Sequence, residues 1–303
     1  MTIMRSMLFV PGNDNKALEE ALTYHADAIV LDLEDLVPPL EKAKARQMVR
    51  ENVKYAASTG SEAWVRVNSW ETNMTNDDLE ATVCEGLKGI NLTKAGSAAD
   101  VQRLDWRLEE LERNRGLEVG SIKICLLIET AIGIINAYES CAASPRVVAA
   151  IFGAVDYTRD MQVKLTSEAV EQQFARGYMA VAACAARVLA IDAPFLAYTE
   201  TAGYERNVAE GRQMGYKGRM IVHPSLVEAS NRLYSPDPAD VEWAREIVKV
   251  FEEEAIAKGK AAISFKNKMV DTPVYLNALD ILGAQAEIDA KLGKKNKSLL
   301  TGF

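Results

Sequence analysis

The segment Ala28-Ile-Val-Leu-Asp-Leu-Glu-Asp35 passes from apolar residues into three carboxylates, and two later segments repeat this arrangement. They are Lys123-Ile-Cys-Leu-Leu-Ile-Glu129 and Val148-Ala-Ala-Ile-Phe-Gly-Ala-Val-Asp156. Apolar runs of this kind predict buried parallel strands. A carboxylate beside such a run is costly to desolvate unless a cation or a hydrogen-bond donor meets it. Three acidic strand ends that converge therefore predict an oxygen-rich site, which suits Mg²⁺ better than zinc or copper.

Strand-like and helix-like runs alternate along the chain up to residue 223, and eight such strands predict an α/β fold, the (β/α)₈ TIM barrel. A doubly wound open sheet is the alternative, but no Gly-x-Gly-x-x-Gly or Walker loop follows any strand. We predict strands at residues 7–11, 28–33, 63–68, 89–94, 122–129, 147–152, 194–198 and 219–223. We predict helices at residues 15–24, 39–58, 100–115 and 167–190, among others.

The chain after the eighth strand predicts a separate unit. Ser235-Pro-Asp-Pro238 is typical of a helix start, and this helix is expected to run to about Lys258. Residues 259–270 are expected to be irregular or a hairpin, and a last helix to begin near Pro273. The predicted organisation is a catalytic TIM barrel over residues 1–234 and a C-terminal helical extension over residues 235–303.

The composition is that of a globular protein, because 49% of the 303 residues are hydrophobic and 26% are charged. No apolar run reaches membrane-spanning length and the N-terminus lacks a signal-peptide layout, so no membrane partner is expected. The four cysteines are scattered without a Cys-x-x-Cys pair, which indicates reduced thiols, a cytoplasmic location and no zinc site. A net charge of −8 argues against nucleic acid as a partner but leaves an anionic small ligand open.

In a barrel the chemistry lies where the strands end, at the C-terminal face. There Glu129 and Asp156 are the first choice as Mg²⁺ ligands, because proteins usually hold this ion with one or two carboxylates, water and substrate oxygens. The alternative is a pair of solvated carboxylates. Gly153 and Ala154, just before Asp156, would let the backbone approach a ligand and let its N–H groups bind a carboxylate.

Arg66 is a cation within an alternating apolar strand, where its guanidinium would clamp a substrate carboxylate with two parallel hydrogen bonds. The alternative is a structural ion pair with Glu34 or Asp35, and the two roles are compatible. Side chains alternate along a strand, so Asp32, Glu34 and Asp35 cannot all point inward. We expect one or two of them to lie behind the metal ligands and bind Arg66 or metal-bound water.

The two histidines carry little of the predicted chemistry. His25 is expected to be structural, whereas His223, before Pro224, is suited equally to lining the site and to packing. With so few histidines, a Ser-His-Asp hydrolase or a histidine metal cluster is not expected. Taken alone, Asp271 before Thr272 predicts an N-cap of the final helix.

Together these segments resemble the family of the citrate lyase beta subunit in the HpcH/HpaI aldolase superfamily, which includes malyl-CoA and citramalyl-CoA lyases. The likeness runs through the barrel in order. Its motifs are Arg5-Ser-Met-Leu-Phe-Val-Pro-Gly12, the segment 28–35, Lys42-Ala-Lys-Ala-Arg46, Val65-Arg-Val-Asn68, Ile128-Glu-Thr-Ala131, Phe152-Gly-Ala-Val-Asp-Tyr157, Ala190-Ile-Asp192 and Gly218-Arg-Met-Ile-Val-His-Pro224.

The resemblance implies Mg²⁺, or Mn²⁺ in its place, on Glu129 and Asp156, with Arg66 on the carboxylate or keto-acid end of a β-hydroxyacyl-CoA. Longer members carry a Gly-Lys-Met-(Ile/Val)-Asp-x-Pro motif whose aspartate enters a neighbouring subunit's site, and Asn267-Lys-Met-Val-Asp-Thr-Pro273 looks like it. By this likeness Asp271 is catalytic, the extension is a lid that packs on a neighbouring subunit, and the active form is a homotrimer or hexamer. Because short citrate-lyase-like members lack this tail, its presence favours a free-standing CoA-ester enzyme.

Three positions depart from the family pattern and leave the substrate open. Thr93 stands where Leu-Pro-Lys has proline, Val155 where Gly-Ala-Glu-Asp has glutamate, and Leu226 where His-Pro-x-Gln has glutamine. With Pro224, these positions are expected to line the CoA and acyl side of the pocket.

The predicted function is a Mg²⁺-dependent carbon–carbon lyase that cleaves, or condenses, a β-hydroxyacyl-CoA such as malyl-CoA or citramalyl-CoA. Arg66 would align the carboxylate and Asp271 would move the proton of the acyl-CoA enolate. The alternatives are a malyl-CoA thioesterase or malate-synthase-like enzyme, a citrate lyase beta subunit that works only within a complex, and a non-catalytic relative. A pyruvate aldolase is disfavoured because neither histidine lies in an early strand. The sequence does not choose the acyl-CoA, the keto acid or the direction of the reaction.

Overall fold

The computed structural model describes residues 3–301, with the side chains of residues 3–293. Its contacts divide the chain into two compact units, one over Met4–Tyr234 and one that begins at Ser235. The first unit is a closed barrel of eight parallel strands, so the predicted TIM barrel is confirmed. The strands are β1 Ser6–Pro11, β2 Ala28–Asp32, β3 Glu62–Val67, β4 Leu87–Leu92, β5 Lys123–Ile128, β6 Val147–Phe152, β7 Leu189–Asp192 and β8 Gly218–Ile221.

Helices come after the strands and cover the barrel from outside. Their α-helical parts are α1 Asn15–Thr23, α2 Lys42–Ser58, α3 Thr75–Thr82, α4 Ala98–Asn114, α5 Ala131–Ile135, α6 Ala137–Cys141, α7 Ala154–Asp160, α8 Gln173–Ala185, α9 Thr201–Met214 and α10 Val227–Leu233. Short connections of this kind leave the strand ends free to carry a site at one face of the barrel.

The predicted seventh strand at residues 194–198 is wrong, and the predicted helix 167–190 runs too far. Helix α8 ends at Ala185, and Arg187 then takes a left-handed backbone with φ 61°. Strand β7 comes directly after it, while residues 194–198 are irregular and begin with Pro194, which has no N–H to pair. The apolar pattern continues past the true helix end because the stop is an arginine where a glycine is the usual signal.

Side-chain alternation sorts the strand residues between the barrel interior and the helices. The interior contains a buried apolar cluster of Met7, Phe9, Ala28, Val30, Trp64, Cys125, Leu127, Ala149, Ile151, Ile191 and Met220, with Met4. Continued two residues along each strand, this inward series reaches Asp32, Arg66, Glu129 and Gly153 at the carboxyl ends. Asp192 and Arg219 have the opposite parity and face the helices.

The second unit has its own small core. It contains α11 Pro238–Phe251, a π-helical turn Glu252–Ile256, an antiparallel hairpin of β9 Ala262–Phe265 and β10 Lys268–Asp271, and α12 Thr272–Thr301. Asp237 caps α11 through the Ala239 N–H at 2.8 Å, and Phe251 and Val270 are buried in the core. The described helices, within residues 3–301, include none long and apolar enough to span a membrane.

Candidate active site

Arg66 lies at the carboxyl end of β3 with its guanidinium buried among three carboxylates. Its Nε and Nη2 atoms donate to the two oxygens of Asp32 on β2, at 2.6 and 2.5 Å. Its Nη1 lies 2.9 Å from Glu34 Oε2 and 3.6 Å from an Asp35 oxygen. The structural ion pair is therefore present, and Asp32 holds the Nε–Nη2 edge. Because Glu34 already pairs with Nη1, a substrate carboxylate at the Nη1–Nη2 edge would share this edge with Glu34.

Asp32 is held so firmly that it acts as an anchor for Arg66. Its two oxygens also accept the backbone N–H groups of Glu34 and Leu36, both at 2.9 Å. Each Asp32 oxygen thus accepts two hydrogen bonds, so Asp32 has no lone pair left to bind a metal ion. Burial alone would lower the pKa of Arg66, but Asp32, with Glu34 and Asp35, raises it overall. The guanidinium is therefore a fixed positive charge.

Lys42 and Asp78 hold the strand ends behind this cluster, and neither role was predicted from the sequence. The buried Lys42 Nζ donates to the Leu33 and Glu34 carbonyls and to Asn68 Oδ1, at 2.7, 2.8 and 2.8 Å. Asp78 accepts from the Asn68 backbone and side-chain N–H groups at 2.8 and 2.7 Å. Lys42 belongs to the quoted Lys-Ala-Lys-Ala-Arg motif, which was the available signal.

Glu129 comes directly after β5 and points into the barrel mouth with 3% of its surface exposed. Its Oε1 accepts the Lys94 backbone N–H at 3.0 Å. Gly153, at the end of β6, makes room for it, because a Cβ there would lie 2.4 Å from Glu129 Cβ and 2.8 Å from Oε2. The N–H of Gly153 donates to the Ile128 carbonyl at 2.9 Å, so the prediction that it binds a ligand carboxylate is wrong, and Gly153 acts by making room for Glu129. Ala154 is buried at the first position of α7.

Asp156 comes from the first turn of helix α7 and is half-buried. The predicted strand 147–152 ends at Phe152 as β6 does, so Asp156 lies beyond the strand end where it was expected, on the helix that follows. Its charge nevertheless acts on Glu129 across the barrel mouth. Asp160, at the end of α7, accepts the Ala131 N–H at 2.7 Å and so ties this helix to the chain after Glu129.

The carboxylates at this end of the barrel outweigh the cations. Burial, with Asp156 and then Glu34, raises the pKa of Glu129 to about 8. Burial also raises the pKa of Glu34 to about 7, although Arg66 partly offsets it. Buried carboxylates with raised pKa values that repel one another favour the binding of a cation between them.

The donor set fits Mg²⁺. Glu129 and Asp156 provide hard carboxylate oxygens. Within residues 3–293, Glu129 Oε1 accepts a hydrogen bond from a protein N–H, and Oε2 accepts none. Among the same residues, no group of three or more Asp, Glu, His or Cys side chains could hold an ion by itself. A cation on these two carboxylates would complete its shell with water and substrate oxygens, as Mg²⁺ usually does.

The other predicted site residues lie apart from this cluster or outside its contacts. Thr93 donates to the Val67 carbonyl at 2.8 Å, Leu226 packs in the apolar core around the barrel, and Val155 is 45% exposed. Pro224 begins a short 3₁₀ helix at the end of β8, next to His223, whose ring stacks on Tyr198 at 4.0 Å. In its own unit Asp271 accepts the Val274 N–H at 3.3 Å, which is the predicted helix cap.

Comparisons with known proteins identify the family of this chain. Residues 5–224 match the family model described as HpcH/HpaI aldolase/citrate lyase. The citrate lyase subunit beta of Leuconostoc mesenteroides subsp. cremoris is 33% identical over 280 residues, 92% of each chain. A (3S)-malyl-CoA thioesterase of Cereibacter sphaeroides is 30% identical over 289 residues, 95% of this chain and 96% of its own.

The fold also matches a solved structure, the protein CitE of Mycobacterium tuberculosis in complex with magnesium, acetoacetate and coenzyme A. The TM-score is 0.72 at 26% identity, over 93% of this chain and 97% of that one. The 280-residue match to the Leuconostoc subunit is longer than residues 1–234, so it extends into the C-terminal extension. The expectation that the extension separates this chain from citrate lyase subunits is therefore wrong. The chain is an enzyme that belongs to the HpcH/HpaI aldolase/citrate lyase family.

Proposed function

We propose that this protein is a Mg²⁺-dependent carbon–carbon lyase that cleaves or condenses a β-hydroxyacyl-CoA, with malyl-CoA or citramalyl-CoA as substrate. The observation that carries the proposal is the surplus of carboxylate at this end of the barrel, where the buried Glu34 and Glu129 lie near Arg66 and the half-buried Asp156 acts on Glu129. The magnesium, acetoacetate and coenzyme A named for the Mycobacterium tuberculosis relative support the same cofactor and class of substrate here.

In this proposal the acidic side chains hold the metal ion and the basic side chain binds the substrate carboxylate. Glu129 and Asp156 would hold the Mg²⁺, which supplies a Lewis acid for the hydroxyl or keto oxygen of the substrate. Arg66 would bind the carboxylate of the keto-acid half through its Nη1–Nη2 edge. Asp32 fixes the plane of the guanidinium, because it accepts from Nε and Nη2 at 2.6 and 2.5 Å. The carboxylate is thereby fixed while the carbon–carbon bond breaks.

Asp271 is the proposed proton-transfer group, supplied by the extension of a neighbouring subunit in a trimer or hexamer. The motif around Asp271 supports this, and its helix cap uses only Oδ1. Two inactive variants, Asp271→Ala and Arg66→Ala, should regain partial activity after mixing and reassembly, because some sites then combine an intact barrel with an intact lid. A fully active monomer, or no recovery despite proven subunit exchange, would contradict the shared site.

Product analysis tests the reaction. The purified protein should be incubated with Mg²⁺ and, separately, with malyl-CoA, citramalyl-CoA and β-methylmalyl-CoA, and the products separated. A lyase releases glyoxylate or pyruvate together with an acyl-CoA, and we expect one of these pairs. Cleavage of none of the three esters would overturn the proposal.

Two other activities are favoured by specific relatives and appear as distinct outcomes of the same experiment. Free malate with CoA would mark the hydrolysis named for the Cereibacter relative. Inactivity on all CoA esters, together with activity once acyl-carrier and partner subunits are supplied, would mark a subunit like the Leuconostoc relative.

A further inference from the structure

Lys94 stands in the turn after β4 with a left-handed backbone, φ 51°. Its N–H donates to Glu129 Oε1, and that contact depends on the backbone alone. Glycine would take this conformation with less strain. A lysine at such a position, within reach of a candidate metal ligand, indicates that its side chain is used, because strained residues are commonly placed at functional sites.

The Lys94 ammonium is not saturated by the protein. Within the described side chains, residues 3–293, its charged contact is Glu34 Oε1 at 4.0 Å, which is beyond hydrogen-bond distance. The ammonium of Lys42, by contrast, donates three bonds of 2.7–2.8 Å to fixed acceptors. The Lys94 side chain is 30% exposed, so its three N–H donors are available to a ligand at the barrel mouth.

A recess of about 300 Å³ adjoins Lys94 and gives a substrate room to reach it. The connections after β3, β4 and β5 line it, and Trp70, Gly96 and Thr130 are among its walls. The walls are tied together, because Asn136 donates to the Gly96 carbonyl at 2.8 Å and Trp70 Nε1 to the Asp100 carbonyl at 3.3 Å.

We infer that Lys94 is a further catalytic residue, whose ammonium hydrogen-bonds the thioester oxygen of the acyl-CoA half; this rests on the proposed lyase function. In cleavage the substrate hydroxyl gives its proton to the carboxylate of Asp271, the proposed proton-transfer group, and its oxygen forms the keto C=O. The carbon–carbon bond breaks, and its electron pair moves onto the acyl half as an enolate, which then takes the proton back at carbon from the Asp271 carboxyl group. The negative charge that develops on the enolate oxygen lies against the Lys94 ammonium, which keeps its own proton.

Three variants test this role. Lys94→Met removes the charge, Lys94→Gly also removes the backbone strain, and Lys88→Met, at the other end of β4, is the matched control. On the CoA ester that the wild type cleaves best, kcat should fall about 100-fold or more in both Lys94 variants and stay unchanged in the control. Lys94→Gly should unfold in urea at the same or a higher midpoint than wild type, because glycine relieves the left-handed strain. Mn²⁺ affinity should remain within about twofold, as expected for a group that contacts the enolate and does not hold the metal.

Each other outcome points to a different error. A kcat within about threefold of wild type in both Lys94 variants would overturn the catalytic role. A parallel loss of Mn²⁺ affinity would show that the side chain acts through Glu129, and would overturn it too. A wild-type protein that cleaves none of the CoA esters would overturn the proposed function first, and the role of Lys94 with it.

Discussion

Two buried arginine–aspartate clusters in this barrel differ in charge balance. In the first, Arg66 on β3 binds Asp32, and the carboxylates of Glu34, Asp35 and Glu129 also lie near its guanidinium. In the second, Arg176 of α8 and Arg219 of β8 both bind Asp192, at 2.5 and 2.6 Å. The first cluster has more anions than cations, and the second holds two guanidinium groups on one carboxylate.

Side-chain parity explains why only the first cluster forms a site. Asp32 and Arg66 continue the inward series of their strands, so their charges meet at the open mouth of the barrel. Asp192 and Arg219 are the neighbours of Ile191 and Met220, which point inward, so their own side chains point outward. They are buried between the strands and the helices. Burial alone would raise the pKa of Asp192, but Arg219 and Arg176 lower it overall. A satisfied buried anion has a structural role, whereas unsatisfied buried carboxylates require a cation.

The largest expected effect is at the metal ligands. Glu129→Gln or Asp156→Asn should lower kcat at least about 100-fold with Mg²⁺ supplied, because each removes a charged ligand from the reacting centre. Far-ultraviolet circular dichroism should be unchanged, since neither residue belongs to the apolar core. Turnover close to wild type in either variant would show that the cation binds elsewhere.

The paired variants Arg66→Lys and Asp192→Asn should separate the two clusters. Arg66→Lys should cost about 100-fold in kcat/KM, because an ammonium cannot hold Asp32 and a substrate carboxylate on two edges at once. Asp192→Asn should leave kcat/KM of the folded enzyme unchanged but lower the free energy of unfolding by about 3–5 kcal/mol, because two buried guanidinium groups lose their anion. Urea unfolding and steady-state kinetics on both variants check this. The reverse pattern would contradict the division into a functional and a structural cluster.

Gly153→Ala tests how closely the site is packed. The new Cβ would lie 2.4 Å from Glu129 Cβ, so Glu129 must move; we expect about 1–3 kcal/mol of lost stability and weaker Mg²⁺ dependence. Gly177→Ala in α8 is the matched control, because nothing lies within 4 Å of its Cβ. It should stabilise by about 0.5–1 kcal/mol and leave activity alone. Equal behaviour of the two variants would show that Gly153 has no special role.

A smaller effect concerns pH. Because the pKa of Glu129 rises from 4.5 to about 8 and that of Glu34 from 4.5 to about 7, the metal-free folded protein holds protons that the unfolded chain releases. This contribution to stability is complete below pH 4.5 and is lost as the pH rises through about 7 and then 8. Urea midpoints of the metal-free protein should fall across this window, and less steeply in Glu129→Gln. A midpoint that rises equally in both proteins would contradict the sign.

Strand periodicity was the most reliable guide in the sequence. The sixth strand, 147–152, was placed correctly, and the predicted strand ends put Arg66 and Glu129 at one face of the barrel, whereas alternation left open which of Asp32, Glu34 and Asp35 points inward. Prediction failed where a local signal was missing. Arg187, at φ 61°, ended α8 without a glycine, so β7 was displaced and Asp192 was left unassigned.

The supporting residues could not be found from spacing. Lys42 and Asp78 act through contacts between a helix and strand ends, over 26 and 10 residues of chain to Asn68, and only the folded barrel brings them together. Asp156 was expected at a strand end but lies in the first turn of α7. This helix begins directly after Gly153 without a side-chain N-cap, so the sequence gives no local signal of its start.

The most direct test of the central claim is to measure where the divalent cation binds. Mn²⁺ can replace Mg²⁺ as a paramagnetic probe, and its binding in the presence of pyruvate can be followed by electron paramagnetic resonance. We predict one Mn²⁺ per chain in the wild type, a clear loss of binding in Glu129→Gln, and unchanged binding in Asp192→Asn. Equal binding by wild type and Glu129→Gln would contradict the claim, because the cation would then not be held by the surplus carboxylates beside Arg66.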